Sequence, residues 1–144
     1  MTVRRNLDQE RAAAAWAAVQ TVTRLDPTLQ KEYRALARGF ASRIQLNGMG
    51  AACAFLYAKS KPDAANDKKE QTVHATLLGH LQTWLTQTGR FPALANQSFI
   101  EWLIEASSDE YRRAAVEALA YLAWLRRFAE GAIAAPKQRD NTTP

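Results

Sequence analysis

Apolar residues return every three or four positions along most of this 144-residue chain, the period of a helix with one buried face. β-branched residues are few and scattered while Ala, Leu, Gln, Arg and Glu dominate, so the pattern predicts helices and little strand. A first helix starts after Asn6, which stands three positions before Gln9 in capping-box spacing; Trp16, Val19 and Val22 mark its apolar side. Asp26-Pro27 opens the second, because proline suits a first helical turn. There Leu29, Tyr33, Leu36, Phe40 and Ile44 share one face, and Lys31, Arg34, Arg38 and Gln45 lie opposite. Arg43 falls near the edge of the apolar face, where it must snorkel or meet a partner.

The next stretch, "LNGMGAACAFLYAK", admits a phosphate loop, a membrane segment or a broken helix. Gly48, Gly50 and Cys53 occupy the positions of a dinucleotide fingerprint, but the third glycine is missing and a helix precedes it. No Gly-Lys-Ser/Thr follows, and the uncharged run is too short to span a bilayer. The helix break is the better reading, with Asn47-Gly48 as a left-handed C-cap and a short third helix over about Met49–Lys59. The amides at that helix start are placed to greet a phosphate.

Beyond the polar loop "SKPDAANDKK", Val73, Leu77, Leu81, Trp84 and Leu85 form the inner face of a fourth helix, about Glu70–Thr88. "TGRFP" breaks it, and a short helix follows near Gln97–Ala106. The last helix has Ser107 and Glu110 as a capping box, Gly131 as its stop, and a core stripe of Tyr111, Ala115, Ala118, Leu122 and Leu125. Tyr121, Trp124 and Phe128 lie off that stripe, so this helix is apolar nearly all round: it is either central or offers a second face to another protein. The expected fold is all-α, a compact single-domain bundle of five to six helices over residues 1–132, with 133–144 a disordered tail.

Charge changes the picture. Residues 1–61 hold ten Lys/Arg against four acids, so all of the net +5 belongs to the first half. Such asymmetry points to an anionic partner, most often nucleic acid. Arg34 and Arg38, with Lys31 one turn earlier, can follow a phosphate backbone, and Arg43, Lys59 and Lys61 extend the strip if helices two and three fold back on each other. Arg126 and Arg127 form a smaller second cluster.

Chemistry for bond-breaking is sparse. His74 and His80 are six apart, about 240° around a helix, and with one cysteine they assemble no local metal site. Cys53, in "AACAF", reads as an inert buried thiol and can form no internal disulfide. No serine stands in a nucleophile elbow, and Glu101 and Glu105 read as exposed acids on a short helix. A non-enzyme without cofactor or metal is expected. The polar opening "MTVRRNLDQE" lacks the apolar core of a secretory leader, so an intracellular, cytoplasmic protein is expected.

Several stretches resemble the small helical subunit of the type III-B CRISPR RNA-targeting effector, the Cmr complex. They are "QERAAAAWAAV", "NGMGAACAFLYAK", "LLGHLQTWL" and above all "YRRAAVEALAYLAWLRRFAEGA", together covering about residues 9–132. The most specific parts are the NG-x-G-x-x-x-AFL turn-helix and the W-L-[KR]-R-F-A-E terminus; Met49 replaces a usual leucine and Arg126 a usual lysine. The resemblance implies an all-α subunit with no active site, whose copies stack head-to-tail as an inner ridge beside the backbone subunits. The groove between ridge and backbone would take the guide RNA and target RNA, with RNA cleavage left to the backbone subunits and DNA cutting and nucleotide signalling to the large subunit. Stacking in a line needs two different surfaces per copy. Tyr121, Trp124, Arg126 and Arg127 are the candidate residues for one of them, and a purely internal role for the last helix stands beside that reading. Two other functions stay open. A free-standing nucleic-acid-binding regulator is disfavoured because the third helix offers Ala, Cys, Phe and Leu rather than base-reading polar groups. The other is a helical adaptor with no nucleic-acid role.

Overall fold

Six α-helices and one short 3-10 helix account for most of residues 5–62 and 67–134, which the computed structural model describes, and no strand occurs among them. They are α1 (Leu7–Val22), α2 (Pro27–Asn47), α3 (Met49–Ser60), α4 (Lys68–Gln87), a 3-10 turn (Pro92–Asn96), α5 (Phe99–Glu105) and α6 (Ser108–Ala132). The helix starts are set locally. Asn6 and Gln9 exchange the two bonds of a capping box at 2.7 and 3.0 Å. Asp26 accepts from the Thr28 amide at 2.8 Å, and Ser107 from that of Glu110 at 3.2 Å. Each cap satisfies an amide that would otherwise lack a partner, worth about 1 kcal/mol. Gln30 then closes the α1–α2 turn by donating its side-chain amide to the carbonyls of Leu25 and Thr23 at 2.7 and 3.2 Å.

α6 is the central element, packed on α1, α2 and α4, while α3 lies against α4 and touches α2 and α5. The inner face expected of α4 is buried at every position, from Val73 to Leu85. Trp84 stacks on Tyr121 of α6, ring centroids 5.7 Å apart and 15° from parallel, and so anchors the α4–α6 crossing.

Several details differ from the expected pattern. α6 buries Ala114, Glu117, Ala118, Tyr121, Leu122, Leu125 and Ala129, whereas Tyr111 and Ala115 are only partly covered. Its helix runs through Gly131 to Ala132, and Ile133 turns back into the core, so this start of the expected tail is packed; residues 135–144 lie outside those described. Trp16 is 52% exposed, because α1 turns Ala15, Ala18, Val19 and Val22 inward instead.

The "NGMG" stretch does break one helix and start another, with Gly48 as the single residue between them. Its φ of 89° with ψ of 158° is an extended conformation open to glycine alone, not a left-handed cap. The Gly48 N–H closes α2 on the Ile44 carbonyl at 2.8 Å, and its own carbonyl accepts the Ala52 amide at 3.1 Å to open α3. Gly50 has a different task. A Cβ there would sit 3.1 Å from the Tyr111 hydroxyl oxygen, which accepts the Gly50 amide at 2.7 Å. Tyr111 thus takes up one of the free amides at the start of α3. The expectation that a phosphate would find that helix start is corrected at this amide: α6 supplies the acceptor.

Candidate nucleic-acid interface

The six cations expected to form one strip fall into two patches. On α2, Arg38 and Arg43 are five residues apart, so they project about 140° from each other around the axis. Lys31, Arg34 and Arg38 share the flank that faces α6. There Arg126 donates its Nε–H to Glu130 at 3.0 Å, and Arg34 and Arg38 add their fields to the same carboxylate. The hydrogen bond from Arg126, helped by these three positive charges, holds the Glu130 carboxyl below its ordinary range. Three arginines around one acid leave this flank positive. The Arg34 Nε is buried with no hydrogen-bond partner, so its guanidinium is anchored at the stem with donor capacity unspent.

The second patch lies on α3. The Arg43 guanidinium rests 3.7 Å from the centre of the Phe55 ring, which meets the expectation that it needs a partner. Phe55 in turn stands edge-on to His74 at 5.5 Å. Lys59 reaches Glu70 at 3.9 Å, and Lys61 lies 4.6 Å over the half-exposed Tyr57 ring. Here cations alternate with aromatic faces, and one acid of α4 offsets Lys59.

Of the residues expected at a protein interface, Tyr121 is corrected: it is 1% exposed and belongs to the core against Trp84. Trp124 is half-buried in the α1–α6 seam, where its indole N–H donates to Asp8 at 2.9 Å and its ring stacks on Phe128. Phe128 stands edge-on to Trp16 at 5.3 Å, so the seam ends in an aromatic surface. Arg126 joins the α2 patch instead, and Arg127, one position on, is exposed. Helix periodicity cannot separate these cases. Tyr121 and Trp124 lie only about 60° apart on the same side of the expected α6 stripe, and only the neighbour packed there decides which ring is covered.

Groups with the capacity for chemistry are occupied. His80 is held between the Tyr33 hydroxyl at 2.8 Å and the Thr21 hydroxyl at 3.3 Å, and burial drives its pKa down to about 4. Cys53 is buried, which pushes its thiol up to about 12. Among the described residues no group of three His, Cys, Asp or Glu side chains could hold a metal ion, and no helix is long and apolar enough to cross a membrane.

One buried carboxylate escaped the sequence reading. Glu117, 3% exposed, accepts two hydrogen bonds from Arg11, the longer at 3.1 Å, and this contact also keeps Arg11 firmly protonated. The signal was present on both helices: Glu117 is in step with Ala114, Tyr121 and Leu125, and Arg11 with Ala15, Ala18 and Val22. Opposite charges on two apolar stripes indicate helices that pair through them.

Comparison with known proteins agrees with this architecture. The family model for CRISPR-associated protein (Cas_Cmr5) matches residues 7–132. In shape the chain is similar to a CRISPR-associated Cmr5 family protein from Thermus thermophilus. The TM-score is 0.67 at 24% identity, over 91% of this chain and all of that one.

Proposed function

Because this chain belongs to the Cmr5 family of CRISPR-associated proteins, we propose that it is the non-catalytic small subunit of a type III-B Cmr effector complex in antiviral defence. In this reading its copies stack as an inner ridge in the cytoplasm, beside the backbone and large subunits, and a basic surface steadies the guide RNA paired with target RNA. The observation that carries the RNA contact is the α2–α6 patch, where Arg34, Arg38 and Arg126 surround the single acid Glu130. A surface of this kind needs no base-reading groups. In a guide–target duplex the sequence is read by pairing, and a protein recognises the A-form backbone by shape and charge. The α3 patch, with Arg43, Lys59 and Lys61, is the second contact in this proposal.

A free-standing regulator fits less well, since α3 turns Ala51, Ala54 and Ala58 outward, side chains with no donor or acceptor for a base edge. The test is RNA retention by the assembled complex across a salt series, with Arg38→Ala and Lys61→Ala probing the two patches separately. Each lost phosphate contact is expected to flatten the log–log salt slope by about 0.7–0.9. If Arg38→Ala alone flattens it, the α2–α6 patch carries the contact. Slopes unchanged in both variants would rule out both patches.

A further inference from the structure

Four arginines converge on one cavity at the other end of α6, away from both patches. Its volume is about 210 Å³, and its walls include Arg11, Arg90, Arg112 and Arg113, with Phe91 and Val116 between them and Glu117 at its base. Along α6, Arg113 stands thirteen residues from Arg126, roughly 20 Å away.

The cavity is organised by its buried acid. Glu117 spends its oxygens on Arg11, and Asp8 also approaches that guanidinium at 3.6 Å. Arg90 is drawn to within 3.9 Å of Glu117, a carboxylate already committed elsewhere. The backbone presents Arg90 by a tight turn: Gly89 adopts a φ of 71°, and the Arg90 amide donates to the Thr88 hydroxyl at 3.2 Å. Arg113 is held at the rim by Asp109 at 3.2 Å and lies 5.7 Å over the Phe91 ring. Arg112 is exposed and makes no ion pair among the described residues. Against the four arginines stand Glu117, Asp8 and Asp109, so the cavity keeps one excess positive charge; Arg112 has no acid of its own and Arg90 only a distant share of Glu117, two forks on one small space.

We propose that this cavity is a binding site for a nucleotide phosphate. Glu117 already divides its two oxygens between Arg11 and the more distant Arg90, whereas a phosphate brings a further oxygen and more charge with which to engage two forks at once. The volume suits one phosphate and its nearest atoms rather than a whole drug-sized ligand, since such pockets run from about 300 Å³ upward. The phosphate would come from a free nucleotide or from one unit of an RNA strand. The site stands independently of the α2–α6 contact.

The test uses the full chain with its arginine Nε–H groups observed by NMR, titrated in parallel with AMP, a short single-stranded RNA and an acidic peptide. Saturable shifts at Arg90 and Arg112 are expected with a nucleotide ligand. Arg90→Gln and Arg112→Gln should each weaken binding by about tenfold, the worth of one charge-assisted hydrogen bond. Arg24→Gln, an exposed arginine at the far end of α1, should leave the affinity as it is. AMP binding as well as RNA identifies a free nucleotide as the ligand; RNA binding alone identifies a strand. The proposal is overturned by any of three results: no saturable shift with AMP or RNA, losses no greater in the two variants than in Arg24→Gln, or tighter binding of the acidic peptide. Both variants remove exposed side chains, and an unchanged thermal midpoint confirms that each is folded.

Discussion

At the C-terminal end of α6, Arg126 pairs with a partly exposed Glu130 while Arg34 and Arg38 look on from α2; at the N-terminal end, Arg11 closes over a Glu117 that water hardly reaches. The residue types are the same and the burial is not. Around Glu130, solvent and salt screen the charges, so a phosphate can replace the acid as the arginines' partner at little cost. Around Glu117, the carboxylate has lost its water and depends on Arg11, whose guanidinium stays partly exposed. The open end is suited to exchange partners, and the closed end holds α1 in register on α6.

Breaking the closed end should have the largest effect. Glu117→Ala leaves the Arg11 guanidinium with Asp8 at 3.6 Å in place of its buried acceptor and is expected to cost about 2–3 kcal/mol in urea unfolding. A loss below about 1 kcal/mol would place this pair with the surface bridges and remove the contrast between the two ends.

Acid provides a second measure of how burial controls charge in this fold. The folded pKa of His80, about 4, lies below the ordinary value of 6.5. The unfolded chain therefore binds the proton first, and stability falls as pH drops from 6.5 towards 4. The full contribution is on the order of 3 kcal/mol. Urea midpoints at about pH 7 and about pH 4.5 should separate for the wild type and draw together for His80→Asn. Equal separation in both would assign the acid loss to carboxylates.

Next comes Tyr111→Phe, which removes the acceptor of the Gly50 amide and is expected to cost about 1–2 kcal/mol. Amide exchange at Gly50 should quicken in this variant. If it does not, another acceptor closes that helix start and the α3–α6 link is weaker than this hydrogen bond implies.

The smallest structural effect belongs to Glu130→Ala at the open end, whose thermal midpoint should stay near that of the wild type. RNA retention should extend to higher salt, because removal of the acid frees Arg126 and strengthens the field of the patch. A fall in RNA retention would mean that Glu130 positions Arg126 for the contact rather than competing with RNA for it.

Much of this molecule was determined by sequence neighbours alone. The caps at Asn6, Asp26 and Ser107, the inner face of α4 and the break at Gly48 depend on groups within about one turn, and such interactions can be written as spacings. So can the gathering of positive charge in the first half. What only the tertiary structure decided is how helix edges meet. It placed Arg43 on the Phe55 ring and away from Arg38, covered Tyr121 while leaving Trp16 half open, brought Arg126 to the α2 arginines, and gave the start of α3 to Tyr111. A helix fixes the angle at which each side chain leaves its axis, but the dielectric that side chain meets is set by whatever packs on that flank, and here those partners lie 12 to 112 residues away.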